Sequence, residues 1–296
     1  MLLTALMWGG NAVASRVSVT EMSPMVLTTM RWLVSSGFLF LINRPEIAAA
    51  LPLARRRWKY IFVMSVAGFT IFNSVFNFAA HFTTGVNLSI IQGAIPLFVL
   101  VVAFIWLKVP VGAMQGLGVL IALLGVVIVA SRGDFVVLQT LSFNLGDIGL
   151  LIACIIYGAY GVGLKQRPQM PGVVFFCFIS LGALFSSLPL LLIEYLYGAL
   201  VWPTEAGWVL VVLVAVFPSI LAHIFYIRSV DLIGPGRAGI FINLVPIFGS
   251  LLSVALLGES FGLYQALALS CVLGGIFIAE KGKLKPVVAP LSPELL

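Results

Sequence analysis

Apolar stretches long enough to cross a bilayer recur along this chain from one end to the other. Windows of about 18 to 22 residues, enough for a hydrocarbon core roughly 30 Å thick, stand near 1–19, 24–42, 58–80, 86–107, 112–130, 147–164, 172–195, 207–229, 236–257 and 261–280. Backbone in hydrocarbon must satisfy its own N–H and C=O groups, so windows of this kind fold as helices. The expectation is an all-α integral membrane protein with ten transmembrane helices. Composition agrees: 9% of the 296 residues are charged, against roughly 25% in a soluble domain, and the mean hydropathy is +1.18.

The basic residues set an orientation, because Lys and Arg accumulate on the cytoplasmic side. One set of connections holds Arg44, Arg55, Arg56, Arg57, Lys59, Lys108, Lys165, Arg167, Arg228 and Arg237, joined by Lys281, Lys283 and Lys285. The other holds Arg16 and Arg132 beside Glu21, Asp134, Asp147, Glu194, Glu205 and Glu259. Both termini are therefore expected in the cytoplasm. The net charge of +6 is spent on orientation, and without a basic cluster interleaved with aromatics it does not suggest nucleic acid. Residues 43–57 read as the longest polar loop, and the proline-rich tail, residues 281–296, reads as disordered. The first fifteen residues hold no Lys or Arg, so the opening run reads as a membrane helix rather than a cleaved leader.

The chain is also written twice. A shift of 150 sets residues 58–128 on 208–278 without a gap, with twelve identities, about twice the chance expectation for so biased a composition. Trp58 falls on Trp208, Pro96 on Pro246, Gly112 on Gly262 and Gln115 on Gln265. A shift of 149 sets "WGGNAVASR" on "YGAYGVGLK". Each half then holds five helices, residues 1–131 and 147–280. Five is odd, so the second half enters the membrane inverted, an arrangement that puts a carrier's site near the midplane between halves.

"WGGNAVASR", Pro24 followed by Arg31, and "PIFGSLLSVALLGESFGLYQALALSCVLGGIFIA" carry a resemblance that covers nearly the whole chain. The sequence resembles the drug/metabolite transporter superfamily in its ten-helix EamA-like branch, and within it the YddG-type amino-acid exporters. The resemblance implies secondary transport, often export, of amino acids, metabolites or drugs across an inner or plasma membrane. Two positions depart from the pattern: Val109 stands where the second half has Glu259, and the first helix lacks a polar lead-in.

Polar residues at membrane depth tend to face a bundle interior or a water-filled cavity. Asn73, Asn77 and His81 share one face of the third span, with Phe76 beside them. The shift of 150 sets His223 on Asn73 and Tyr226 on Phe76. Trp8, Asn11, Tyr157, Tyr160, Gln92 and Asn243 extend the same candidate substrate site. His81 and His223 are the two histidines and the candidates for proton coupling. Interhelical hydrogen bonds are the competing reading for all of these. Arg31 is the one charge well inside a span, expected to face protein or water, as a framework residue or as the partner of a substrate carboxylate.

Pro96 and Pro246 each free the carbonyl four residues earlier. They are expected to kink the fourth and ninth helices and to serve as hinges. Gly112 and Gly116, with Ser270 and Gly274 in the tenth span, have the spacing that lets helices approach closely, either on each other or across a homodimer.

Cys154, Cys177 and Cys271 stand singly, as packing residues. No HExxH, DDxxD or GxxxxGK[ST] run is present, so no metal, ATP or other cofactor is expected, nor an enzyme. Multidrug or other metabolite efflux is the alternative within the same superfamily. A channel is the alternative outside it.

Overall fold

The computed structural model describes residues 1–134, 136, 137 and 144–282; the tail from residue 283 lies outside them. The described residues are helical with short connections. In chain order the helices are α1 (Leu2–Ser18), α2 (Pro24–Ile42), α3 (Arg44–Arg56), α4 (Trp58–Ala79), α5 (Gly85–Gly93), α6 (Ile95–Leu107) and α7 (Ala113–Ala130). After α7 come α8 (Leu145–Gly163), α9 (Gly172–Leu196), α10 (Glu205–Ile233), α11 (Pro235–Ile242), α12 (Val245–Leu257) and α13 (Leu263–Lys281).

Among the described residues eight helical stretches are long and apolar enough to cross a membrane, with Val245–Leu257 as a shorter apolar helix. The first and ninth windows account for the difference from ten. α1 has 17 residues, and the ninth window is divided into α11 and α12.

Chain breaks follow local chemistry. Thr84, Asn144 and Thr204 cap α5, α8 and α10 by accepting from the N–H of Asn87, Gly146 and Gly207. Gln115 and Gln265 reach back to the N–H of Gly112 and Gly262, so α7 and α13 start in the same way. α6 and α12 both end in a left-handed residue, Lys108 at φ 54° and Gly258 at φ 65°. Glycine takes that conformation freely, whereas Lys108 must tolerate a Cβ contact there.

Two expectations change. Residues 43–57 are not a loop: Arg44–Arg56 is helical, with Ile47 and Ala54 buried against the core and arginines on the exposed side. An amphipathic helix with a basic face lies naturally at a membrane surface, which is why its polarity hides it in a hydropathy reading. The prolines do not kink the interior of a helix. α5 stops at Gly93 and α6 starts at Ile95; Leu244 likewise precedes α12. Pro96 and Pro246 occupy the first turn of the new helix, where proline's missing N–H leaves no bond unmade.

α7 and α13 pack closely along their length. The residues that permit it are Gly118, Gly125 and Gly275: a Cβ on Gly118 would stand 2.5 Å from the Gly275 carbonyl oxygen, and one on Gly125 2.6 Å from that of Ala268. At Gly116 and Gly274 a Cβ would meet nothing within 4 Å, so the spacing noted in the sequence lies on the face turned away.

α4 and α10 each contain a π-helical stretch, Val66–Ile71 and Ala215–Leu221, at the 149 to 150 residue offset of the sequence repeat. Each π turn carries one surplus residue, and such turns concentrate at functional sites. A similar correspondence holds for α1 on α12 and α8 on α6, where Gly9 meets Phe248 and Gly158 meets Phe98.

Candidate functional site

The two π-helical stretches face each other across a buried arginine. Arg31, on α2, is 4% exposed. Its Nε donates to Ser219 Oγ at 2.6 Å, and its Nη1 to Asn11 Oδ1 at 2.9 Å and Asn73 Oδ1 at 2.7 Å. α1, α2, α4 and α10 are tied together by this one side chain. Asn73 donates in turn to the carbonyl of Phe69 at 2.7 Å, which lies in the first π stretch. Ser219 lies in the second and donates to the Val214 carbonyl, five residues back. That i to i−5 bond is possible because the π turn has displaced the usual α pairing.

All three acceptors on Arg31 are neutral. Among the described residues Arg31 has no carboxylate within 4.0 Å, whereas Arg16 reaches Glu259 at that distance. A buried guanidinium hydrogen-bonded to neutral oxygens keeps most of its charge uncompensated, so an anion brought to it gains both Coulomb energy and strong hydrogen bonds.

Aromatic rings wall the arginine. The His223 ring stacks on Phe176 at 4.6 Å between centroids and 8° between planes, and its Nδ1 lies 2.7 Å from the Ser219 carbonyl, which fixes the hydrogen on that nitrogen. Trp8 donates its indole N–H to the Pro218 carbonyl at 3.0 Å and touches His223 and Tyr226 with its ring. Pro218 sits within the second π stretch. Phe69 links the two halves, with Tyr160 at 5.5 Å and His223 at 5.5 Å. Tyr157 lies 5.3 Å from Tyr160.

The structure thus brings Trp8, Asn11, Arg31, Asn73, Tyr157, Tyr160, His223 and Tyr226 into one cluster. Other candidates fall elsewhere. Asn77 is buried between Ser15 and Thr28, accepting from one at 2.8 Å and donating to the other at 3.0 Å. It is an interhelical tie. Phe76 is 0% exposed in the hydrophobic core and packs on Phe72.

His81 lies past the end of α4, exposed, in a surface depression of about 300 Å³ shared with Val19, Thr20, Pro24 and Glu194. Partial burial, and then the nearby positive charge of Arg16, lower its pKa from the usual histidine value. Gln92 ends α5 and Asn243 stands in the break between α11 and α12, both half-buried.

Sequence reasoning missed Phe69, Phe176, Pro218 and Ser219. Phe69 precedes Asn73 by one turn on the stripe already identified, and the 150-residue shift sets it on Ser219. That pairing was the available signal. Phe176 is an ordinary apolar residue in an apolar helix and carried none.

A bundle of membrane-length helices with a buried polar and aromatic centre defines a multi-pass integral membrane protein. The chain belongs to the EamA-like transporter family, whose model matches residues 1–131 and 144–280. It is 25% identical to the uncharacterized transporter YetK of Bacillus subtilis (strain 168), over 97% of this chain and 87% of that one. It is 23% identical to the uncharacterized inner membrane transporter YedA of Escherichia coli (strain K12), over 97% and 92%. A solved chain described as "Crystal structure of protein" superposes with a TM-score of 0.65 at 19% identity, covering 94% of this chain and 93% of that one, a likeness of fold. The coarse function is membrane transport of small molecules.

Proposed function

We propose that this chain is a secondary carrier of the inner membrane that moves amino acids, or similar small carboxylate-bearing metabolites, outward by alternating access, as a YddG-type exporter does. One observation carries the reading: Arg31 is a buried cation on neutral acceptors, inside a ring of aromatic and amide groups. A zwitterion meets those groups well, its carboxylate on the guanidinium and its ammonium against the faces of Trp8, Tyr157 and Tyr226. A lipophilic cation is disfavoured by the same fixed charge, which weighs against multidrug efflux.

In this reading the chain crosses the membrane ten times, as five helices from residues 1–131 and five inverted from 147–280, with both termini cytoplasmic. The helix breaks before Pro96 and Pro246, at Ala94 and at Asn243 and Leu244, act as hinges, since an interruption of one or two residues absorbs bending that a continuous helix resists. The paired π stretches and the matching starts of α7 and α13 support the repeat, and the name of YedA supports the inner membrane. A homodimer would use the outward stripe of Gly116 and Gly274.

The experiment is counterflow in proteoliposomes with the twenty amino acids, polyamines and a quaternary cation. Saturable counterflow of amino acids by wild type is expected, with loss of at least about tenfold in Arg31→Gln and partial retention in Arg31→Lys. Undiminished amino-acid counterflow in Arg31→Gln, or flux confined to the cation, would overturn the assignment. Linear, unsaturable flux would mark a channel.

A further inference from the structure

Asp147 takes no part in the arginine site, and in sequence it stands where a loop meets a helix. The structure buries it completely, 0% exposed, in the first turn of α8. Neither carboxylate oxygen accepts a hydrogen bond of normal geometry, although the Thr83 hydroxyl stands beside it. Thr83 accepts from Nδ2 of Asn87 at 3.2 Å, and Oδ1 of Asn87 is also buried without a donor. The Thr83 hydroxyl is thus the one donor beside the Asp147 carboxylate among the described residues, and it carries a single hydrogen. A buried carboxylate without donors or a cation is among the costliest groups a protein can hold, and it escapes the cost by taking up a proton.

Charged groups on the surrounding elements do not supply the missing partner. Arg132, in the turn after α7, is the one whose field reaches Asp147, and it forms no ion pair with it within 4.0 Å. Arg16 on α1 donates to the Ala80 carbonyl at 2.6 Å. Glu259 is bound to the N–H groups of Gly85 and Val86, and His81 after α4 is exposed.

We propose that Asp147 is a proton-binding site, held as the neutral acid while this end of the bundle is shut, with its hydrogen directed to the Thr83 oxygen. When α5 and the turn at 80–84 separate from α8, water reaches the carboxyl and takes the proton. Proton binding then favours the shut arrangement and ionisation the open one, by the same linkage in both directions. In a carrier this ties proton movement to alternation. That last step rests on the transport reading, whereas the protonation does not depend on what is carried.

The test is infrared difference spectroscopy of the full chain in nanodiscs, wild type minus Asp147→Asn, in choline buffer without sodium. A carboxylic C=O band at neutral pH, lost in the variant and disappearing as pH rises, is expected. In a background lacking Cys154, Cys177 and Cys271, maleimide labelling of a cysteine replacing Ser89, buried on α5, is divided at each pH by the rate of a fully exposed cysteine, which removes the thiolate's own pH dependence. The normalised rate of Ser89→Cys should accelerate with pH by up to about tenfold per unit, and should become slow and independent of pH once Asp147→Asn is added.

Should Asp147→Asn fail to fold, Thr83→Val serves: the band should move to higher frequency as the acid loses an acceptor, and an unmoved band counts against the assignment. Absence of the band in wild type overturns the proposal. So does stabilisation by sodium over choline that Asp147→Asn abolishes, which would make the site a sodium site.

Discussion

The two ends of the bundle carry different chemistry. At the acidic end the helices are joined by polar ties between distant parts of the chain. Glu259, after α12, accepts from the N–H of Gly85 at 2.8 Å and of Val86 at 2.9 Å. Glu194 accepts from Ser23 Oγ at 2.5 Å and from the N–H of Met25 at 3.3 Å. Asn144 donates to the Phe82 carbonyl, and Thr204 to Glu21.

At the basic end the corresponding space is an apolar groove of about 510 Å³, lined by Met1, Leu2, Leu3, Phe225, Leu232 and Phe241 with Arg228 and Ser229. Polar ties can be exchanged for bonds to water at small net cost, because each released group finds a new partner at once. The exposed apolar side chains of the groove make no ties of that kind. The acidic end is shut in this structure by such ties.

Breaking the largest tie should make the two ends alike. Glu259→Ala removes the acceptor for two helix-start N–H groups and is expected to cost about 2 kcal/mol. It should also expose Ser253→Cys, otherwise buried, to an impermeant maleimide. Unchanged labelling would mean that apolar packing alone holds that end. Glu194→Ala should cost about 1 kcal/mol for the same reason at the start of α2, read as a lowered melting temperature.

Arg16→Gln loses a charge-assisted bond to Ala80 and a 4.0 Å contact with Glu259, about 0.5 kcal/mol, and the difference from wild type should shrink in high salt. At the other end Leu232→Ala, 70% exposed, should stay within about 0.5 kcal/mol in thermal melts, since little is buried there to lose.

The smallest effect concerns pH. The folded pKa of His81 is lowered by burial and by Arg16. Folding is thus opposed where the unfolded chain would be protonated and the folded one is not. Stability from this residue is full above the ordinary histidine value of about 6.5 and falls as pH drops below it, until the folded pKa is reached. His81→Gln should flatten that part of a melting-temperature profile. An unaltered profile would show that His81 has no part in it.

Much of the fold was legible because hydrocarbon imposes one rule on every window, and length with apolarity reads it out. α3 escaped because its burial is one-sided, through Ile47 and Ala54, among residues polar enough to pass for a loop. Pro96 and Pro246 were seen, but not that each begins a helix, since a proline within an apolar run looks the same either way. The close packing of α7 on α13 was legible, while the glycines responsible were not: which stripe faces inward depends on the partner's position, and Gly116 and Gly118 differ only in that.

In the site, Asn11, Asn73 and His223 were marked by being polar in lipid. The role of Arg31 as the tie among α1, α2, α4 and α10 needed coordinates. Asp147 was counted among the charges of the acidic connections, at the start of a span. Nothing local distinguishes a capping carboxylate from one sealed away from water.

The paired π stretches have a consequence for motion. A helix with one residue too many stores it as a bulge, and a bulge can pass along the helix as a wrinkle passes along a carpet. Each step by one residue turns the intervening segment by about 100° while the helix ends stay where they are. Asn73 and Ser219 are placed to swing toward or away from Arg31 in that way, so the centre of the bundle can be rewired without any helix being dragged through the membrane.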